Sequence, residues 1–160
     1  MRRTTVVAVL LVALYALTVF ANSMRTKSNE TIAIEEMKPK KEIYLAGGCF
    51  WGTEHFIKQI YGVTATEVGY ANGKGRKPDY RSVSTGKTGF AETVRVIYDP
   101  EVISLENLLD LFYETIDPLS VNKQGNDFGT QYRTGIYYID KADSVLVKSS
   151  LAKLAQHHSH

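Results

Sequence analysis

The chain has 160 residues, of which 44% are hydrophobic and 22% charged, the balance of a folded protein with one domain and a core of its own. A net charge of +2 gives no argument for a nucleic-acid partner, and a single cysteine excludes an intramolecular disulfide. No Cys/His spacing calls for zinc, so the reading carries no metal and no cofactor.

In chain order, residues 1–21 differ in kind from the rest. Arg2 and Arg3 precede an uncharged apolar run from Val6 to Ala21, and Val19-Phe20-Ala21 offers small or apolar residues where a signal peptidase cuts. This reads as an export signal, placing the protein in a periplasm, a secretory lumen or outside the cell. Residues 4–21 are also about the shortest run that spans a bilayer, so an uncleaved membrane anchor is the second reading. Residues 22–41 are polar and charged and read as a flexible tether. Asn29-Glu30-Thr31, inside it, matches a glycosylation sequon.

Residues 42–160 read as the folded domain. Glu42 to Ala46 is a short strand, and Thr53 to Ile60 a helix whose Phe56, Ile57 and Ile60 share a face. Val63 to Tyr70 returns as an extended segment. Asn72 to Pro78 is an exposed loop that delivers Asp79 and Tyr80. Thr93 to Tyr98 alternates as a strand. Ser104 then caps a helix with Leu105, Leu108, Leu109 and Phe112 on one stripe, and Ile103 and Leu108 stand at hydrophobic-staple spacing. Pro118 to Tyr132 reads as a long ordered loop, Ile136 to Ile139 as a strand, and Asp140 or Asp143 as the cap of a last helix carrying Val145, Leu146, Leu151 and Leu154. Mixed order without regular alternation predicts an α+β domain.

One stretch organises the chemistry. Gly47-Gly48-Cys49-Phe50-Trp51-Gly52 holds the only cysteine and the only tryptophan, where a strand turns into a helix. There the unpaired N–H groups of the first turn favour an anion, and the thiolate is the nucleophilic form. A buried structural cysteine is the plainer reading; the flanking glycines and the helix start weigh against it.

These residues, followed by Glu54, resemble the active-site signature of the A-type peptide-methionine sulfoxide reductases. Five further stretches resemble that family in its order: Gly62-Val63, Val68-Gly69-Tyr70, Tyr80-Arg81-Ser82-Val83 with Thr85-Gly86, Ala91-Glu92 leading to Tyr98-Asp99-Pro100, and Gln124-Gly125-Asn126-Asp127 with Gly129-Thr130-Gln131-Tyr132-Arg133. The resemblance implies a two-layer sandwich with a ferredoxin-like core, a mixed or antiparallel sheet with helices on one face, and long irregular loops. It also implies reduction of the S epimer of methionine sulfoxide, free or in proteins, by attack of Cys49. Glu92 would be the proton donor, Phe50 and Trp51 the wall for the S-methyl group, and Tyr80, Asp127 and Tyr132 the rest of the substrate site. Cys49 would emerge as a sulfenic acid, recycled by a thioredoxin-like protein or a small thiol, since the chain has no second cysteine. A monomer is expected.

Taken singly, each residue has a plainer role. Tyr80 and Tyr132 are two of ten tyrosines, Glu92 stands before a strand as surface glutamates do, and Asp127 sits in a turn. Glu54, one turn into the helix, suits the helix N-terminus. His157, His158 and His160 read as a solvated tail rather than a metal site. A cysteine hydrolase or acyltransferase needs a histidine base, and His55 is too near Cys49 in sequence to serve. The remaining alternative is an inactive, envelope-tethered remnant. Two departures from the family bear on it: Phe90 stands where a histidine is common, and the family's domain is expected to run roughly thirty residues beyond His160, with an aromatic-histidine segment and in some members resolving cysteines.

Overall fold

The computed structural model describes residues 17–30, 39–75 and 77–158, in two units, Met1–Lys38 and Pro39–His160. In the first unit residues 17–30 are helical and exposed, with the Thr26 hydroxyl donating to the Asn22 and Ser23 carbonyls. Part of the expected tether is thus helix, while most of the expected signal or anchor, and residues 31–38, lie outside the described residues. No helix among the described residues is long and apolar enough to cross a membrane.

The second unit is built on a four-stranded sheet in the order β2-β3-β1-β6, from β1 (Lys41–Ala46), β2 (Val63–Ala71), β3 (Ala91–Tyr98) and β6 (Gly135–Tyr137). Every ladder is antiparallel, which resolves the expected mixed or antiparallel sheet in favour of the second. Helix α1 (Phe50–Ile57) joins β1 to β2, and α3 (Leu105–Tyr113) lies between β3 and β6. Two strand–helix–strand crossovers, each with another strand inserted between its ends, make the ferredoxin-like α+β arrangement. The one-turn helix α2 (Tyr80–Val83), the hairpin β4 (Lys123–Gln124) and β5 (Asp127–Phe128), a 3₁₀ turn (Thr130–Tyr132) and the final helix α4 (Asp143–His157) complete it.

The period-two pattern of a strand decides the core. Ile43 and Leu45 of β1 and Val94, Val96 and Tyr98 of β3 are fully buried against Phe50, Ile57, Leu105, Leu108, Leu109, Phe112 and Val147. The alternate residues carry charge: Arg95 lies opposite Tyr44 and Glu67 in register and pairs with Glu42 at 2.7 Å and Glu67 at 3.4 Å. The α3 cap is as expected, Ser104 Oγ accepting from the Asn107 N–H at 3.2 Å.

Four expectations are corrected. Helix α1 begins at Phe50, three residues early, because Cys49 itself is its N-cap residue. The long loop after Pro118 contains a hairpin, closed by a turn in which Gly125 takes φ 56°. Neither Asp140 nor Asp143 caps α4: Ala142 is its N-cap residue, and Asp143 holds Lys41 at 2.8 Å, tying the helix to β1. Helix α4 buries Asp143, Val147 and Ser150 most deeply; of the expected stripe Leu146 packs against the core and Leu154 is half-buried, but Val145 is 75% and Leu151 44% exposed. Its partner decides this, since the Tyr113 hydroxyl of α3 meets Ser150 Oγ at 2.9 Å.

Candidate active site

Cys49 is half-buried at the start of α1. Its carbonyl accepts from the Gly52 and Thr53 N–H groups at 3.1 and 3.2 Å, while its side chain makes no capping bond, so the thiol is left for other use. The preceding turn is squeezed from two sides. A Cβ on Gly47 would stand 2.8 Å from the Phe112 ring, and one on Gly48, at φ 89°, 2.6 Å from Gln124 Cβ. Only glycine fits there. Gln124 is itself fixed: its carbonyl accepts from the Asp117 N–H, and its amide donates to the Asp117 carbonyl and Thr134 Oγ1, all within 2.9 Å.

Glu92 lies inside β3, not before it. It continues the inward row of Val94, Val96 and Tyr98 at the strand's opening end, which is why a carboxyl is only 2% exposed. Its Oε2 accepts the Phe50 N–H at 3.0 Å, so this carboxyl is pinned one peptide from Cys49. Burial raises the Glu92 pKa, the Phe50 N–H opposes that, and the charge of Asp127 adds to the rise.

Phe50 is almost fully buried and meets Trp51 edge-on at 5.1 Å and Tyr70 at 5.6 Å. Trp51 and Tyr80 are each 61% exposed. Tyr80 opens α2, whose start is held by a reciprocal box: Asp79 Oδ1 accepts from the Ser82 N–H, and Ser82 Oγ accepts from the Asp79 N–H. Tyr132 ends the 3₁₀ turn. Burial raises its pKa, as do the charges of Glu92, Asp127, Tyr80 and Cys49. That field brings all five groups into one neighbourhood.

Tyr70 joins them and was missing from the expected site. It faces Glu92 in the β2–β3 register, and burial, then the charges of Glu92, Tyr80 and Asp79, raise its pKa. The signal was its place two residues after Val68, on the same inward row. Glu54 leaves the expected helix-start role, since α1 begins earlier; its Oε1 accepts from Thr66 Oγ1 at 3.0 Å, joining α1 to β2. Among the described residues no cluster of His, Cys, Asp and Glu could hold a metal. The cavity of about 390 Å³ bordered by Tyr113, Ile116, Leu151 and Leu154 is lined by none of the site residues, which lie instead along the sheet's open end.

The family described as peptide methionine sulfoxide reductase matches residues 41–160. The chain belongs to that family. Peptide methionine sulfoxide reductase MsrA of Lachnoclostridium phytofermentans is 57% identical over 116 residues, covering 72% of this chain and 70% of that protein. Among solved structures, methionine sulfoxide reductase A of Corynebacterium diphtheriae superposes with a TM-score of 0.69 at 35% identity, over 75% of this chain and 56% of that one. This chain therefore spans little more than half of the Corynebacterium protein. Mxr1 of Saccharomyces cerevisiae in reduced form superposes with a TM-score of 0.68 at 41% identity, over 71% of this chain and 67% of that one. The same yeast protein in complex with Trx2 gives a TM-score of 0.52 at 30% identity, over 71% and 65%. Relatives in this family are named for an oxidoreductase activity, and the α+β fold is common to the solved members and this chain.

Proposed function

We propose that this protein reduces methionine sulfoxide to methionine, with Cys49 as nucleophile and Glu92 as proton donor. The observation that carries the reading is the 3.0 Å bond from the Phe50 N–H to Glu92 Oε2, which pins a buried carboxyl one residue from the chain's single thiol. Family membership supports the same reaction.

The Cys49 thiolate attacks the sulfoxide sulfur, and Glu92 protonates the oxygen, because an unprotonated oxide leaves poorly. One carboxyl oxygen accepts the Phe50 N–H, and the other carries the proton. The S–O bond breaks, the oxygen passes to the Cys49 sulfur with the proton that Glu92 gave it, and the Glu92 carboxylate takes a new proton from solvent. Two electrons have passed from thiol to sulfoxide, giving methionine and a Cys49 sulfenic acid. Two external thiols then return Cys49 to the thiol, with loss of water and formation of their disulfide. A thioredoxin is the reductant we infer, supported by the yeast relative's structure with Trx2.

Phe50 and Trp51 form the apolar wall for the S-methyl group, Tyr80 and Tyr132 donate to the oxygen, and Asp127 orients that corner. A raised Tyr132 pKa suits donation, since the hydroxyl keeps its proton. The S epimer is the inferred substrate, on the family resemblance. The apolar run of residues 6–21 behind Arg2 and Arg3 supports export, by a cleaved signal or a retained anchor; terminal sequencing of the fractionated protein separates the two.

The test is single-turnover reduction of each resolved epimer in a peptide, with mass analysis of Cys49 afterwards. Methionine together with one added oxygen on Cys49 is expected. A folded protein that yields neither would refute the reading.

A further inference from the structure

One segment beside this site carries an excess of positive charge that the reaction itself does not use. Residues 72–90 contain Lys74, Arg76, Lys77, Arg81 and Lys87 against one acid, Asp79, in a chain whose total charge is only +2. Lys74, Lys77, Arg81 and Lys87 are all exposed, and among the described residues none is ion-paired, unlike Lys41, Arg95 and Lys153 elsewhere. Asp79 is spent on capping α2.

Three bonds fasten this segment to the loop that carries Tyr132. Arg133 Nη2 donates to the Asn72 carbonyl at 3.0 Å, Thr130 Oγ1 to the Gly86 carbonyl at 2.8 Å, and Gln131 Nε2 to the Ser84 carbonyl at 3.3 Å. Inside the segment the Lys74 N–H donates to the Thr88 carbonyl at 3.0 Å. Lys74, Lys77, Arg81 and Lys87 thus ride on a segment braced against the loop that carries Tyr132, and Tyr80 lies within that segment. Glu92, by contrast, is withdrawn from solvent at the base of the site.

We propose that this segment rims the site and selects oxidised methionines flanked by acidic residues, so that the preferred substrate is an acidic stretch of polypeptide. The proposal rests on the reductase reading. A methionine sulfoxide entering the site places its chain neighbours over the rim, where several exposed cations act together at ranges comparable with the screening length.

Three short peptides, each with one central methionine sulfoxide and flanked by Asp and Glu, by Ser and Gly, or by Lys, are titrated against Cys49→Ser. Fluorescence of Trp51, the only tryptophan, is the readout. The acidic peptide is expected to bind at least about fivefold more tightly than the neutral one at low salt, the basic peptide most weakly. The gap should close at ~500 mM salt and in the triple variant K74Q/K77Q/K87Q. Wild-type kcat/KM for the same peptides is a second measurement, independent of how the Cys49 variant folds. Equal affinities, or an acidic peptide bound most weakly, overturn the proposal. If all three peptides are reduced alike, the reductase reading stands and the rim proposal falls; if the binding order holds without reduction, the reductase reading falls and takes the substrate proposal with it, leaving only a preference for binding acidic polypeptide. Salt dependence found only in the recycling of Cys49 by an acidic protein reductant would assign the rim to that partner and overturn the peptide proposal.

Discussion

Glu92 and Trp51 both meet Phe50, yet they are held in opposite ways. Glu92 is 2% exposed, placed by strand parity and fastened by a backbone N–H. Trp51 is 61% exposed, with one edge-on ring contact to position it. The same contrast divides the proposed site into a base made of sheet and helix start (Cys49, Phe50, Tyr70, Glu92) and a rim made of an exposed α1 residue and short elements outside the main sheet (Trp51, Tyr80 of α2, Asp127 of β5, Tyr132 of the 3₁₀ turn). A proton donor must be desolvated and fixed, whereas a surface that admits varied polypeptides must stay open. Substitutions at the base should therefore cost rate or fold, and those at the rim affinity.

The largest effect is expected from Cys49→Ser. A hydroxyl of similar size and far lower nucleophilicity should abolish methionine formation and leave the melting curve unchanged; single-turnover activity surviving in this variant would end the thiolate mechanism. Next comes Glu92→Gln, which keeps the Phe50 N–H acceptor but removes the proton, so single-turnover reduction should slow about a hundredfold. A loss of only a few-fold would move proton donation to the rim tyrosines and dissolve the contrast.

Because burial raises Glu92, the wild-type reduction rate should fall as pH rises through its raised value, and Glu92→Gln should remove that limb. Stability follows the same sign. A carboxyl raised on folding stabilises the native state below its ordinary value of 4.5, and that contribution is lost as pH rises through the raised one. Urea midpoints across that window should decline in the wild type and stay flatter in Glu92→Gln.

Gly48→Ala tests how tightly the base is built. A side chain at φ 89° that also meets Gln124 Cβ at 2.6 Å should cost about 2 kcal/mol or more in urea unfolding. An unchanged midpoint would mean the turn has room to relax. The smallest effect should come from Trp51→Ala: KM for a peptide rises about threefold with kcat nearly constant, since an exposed ring contributes chiefly by apolar area covered on binding. A fall in kcat instead would put Trp51 with the base.

Much of the base was legible in the residues. The glycines before Cys49, the apolar alternation of β3 and the Ser104 cap are local signals, each set by backbone conformation or by a period of two or 3.6. Glu92 reads from the sequence as standing just before the strand, although the proton-donor role already called for a buried carboxyl; a carboxylate at the end of an apolar row looks like the row's termination. Only the fold shows Phe50 covering it and supplying an N–H. Tyr70 was passed over for a similar reason: its partner, Glu92, is 22 positions along the chain and becomes a neighbour only through strand register. In α4 the periodicity holds for Leu146 and Leu154 but not for Val145 and Leu151, because the contact to Tyr113 turns the Ser150 face inward.

By itself, then, the sequence determined the main strands and helices of the domain, the α+β class and the motif residues that mark the family, because these depend on neighbours a few positions apart. The tertiary structure alone decided which N–H holds the Glu92 carboxyl, which tyrosine backs Phe50, and which loop braces the cationic segment, because desolvation, register and field arise from residues distant in the chain and close in space.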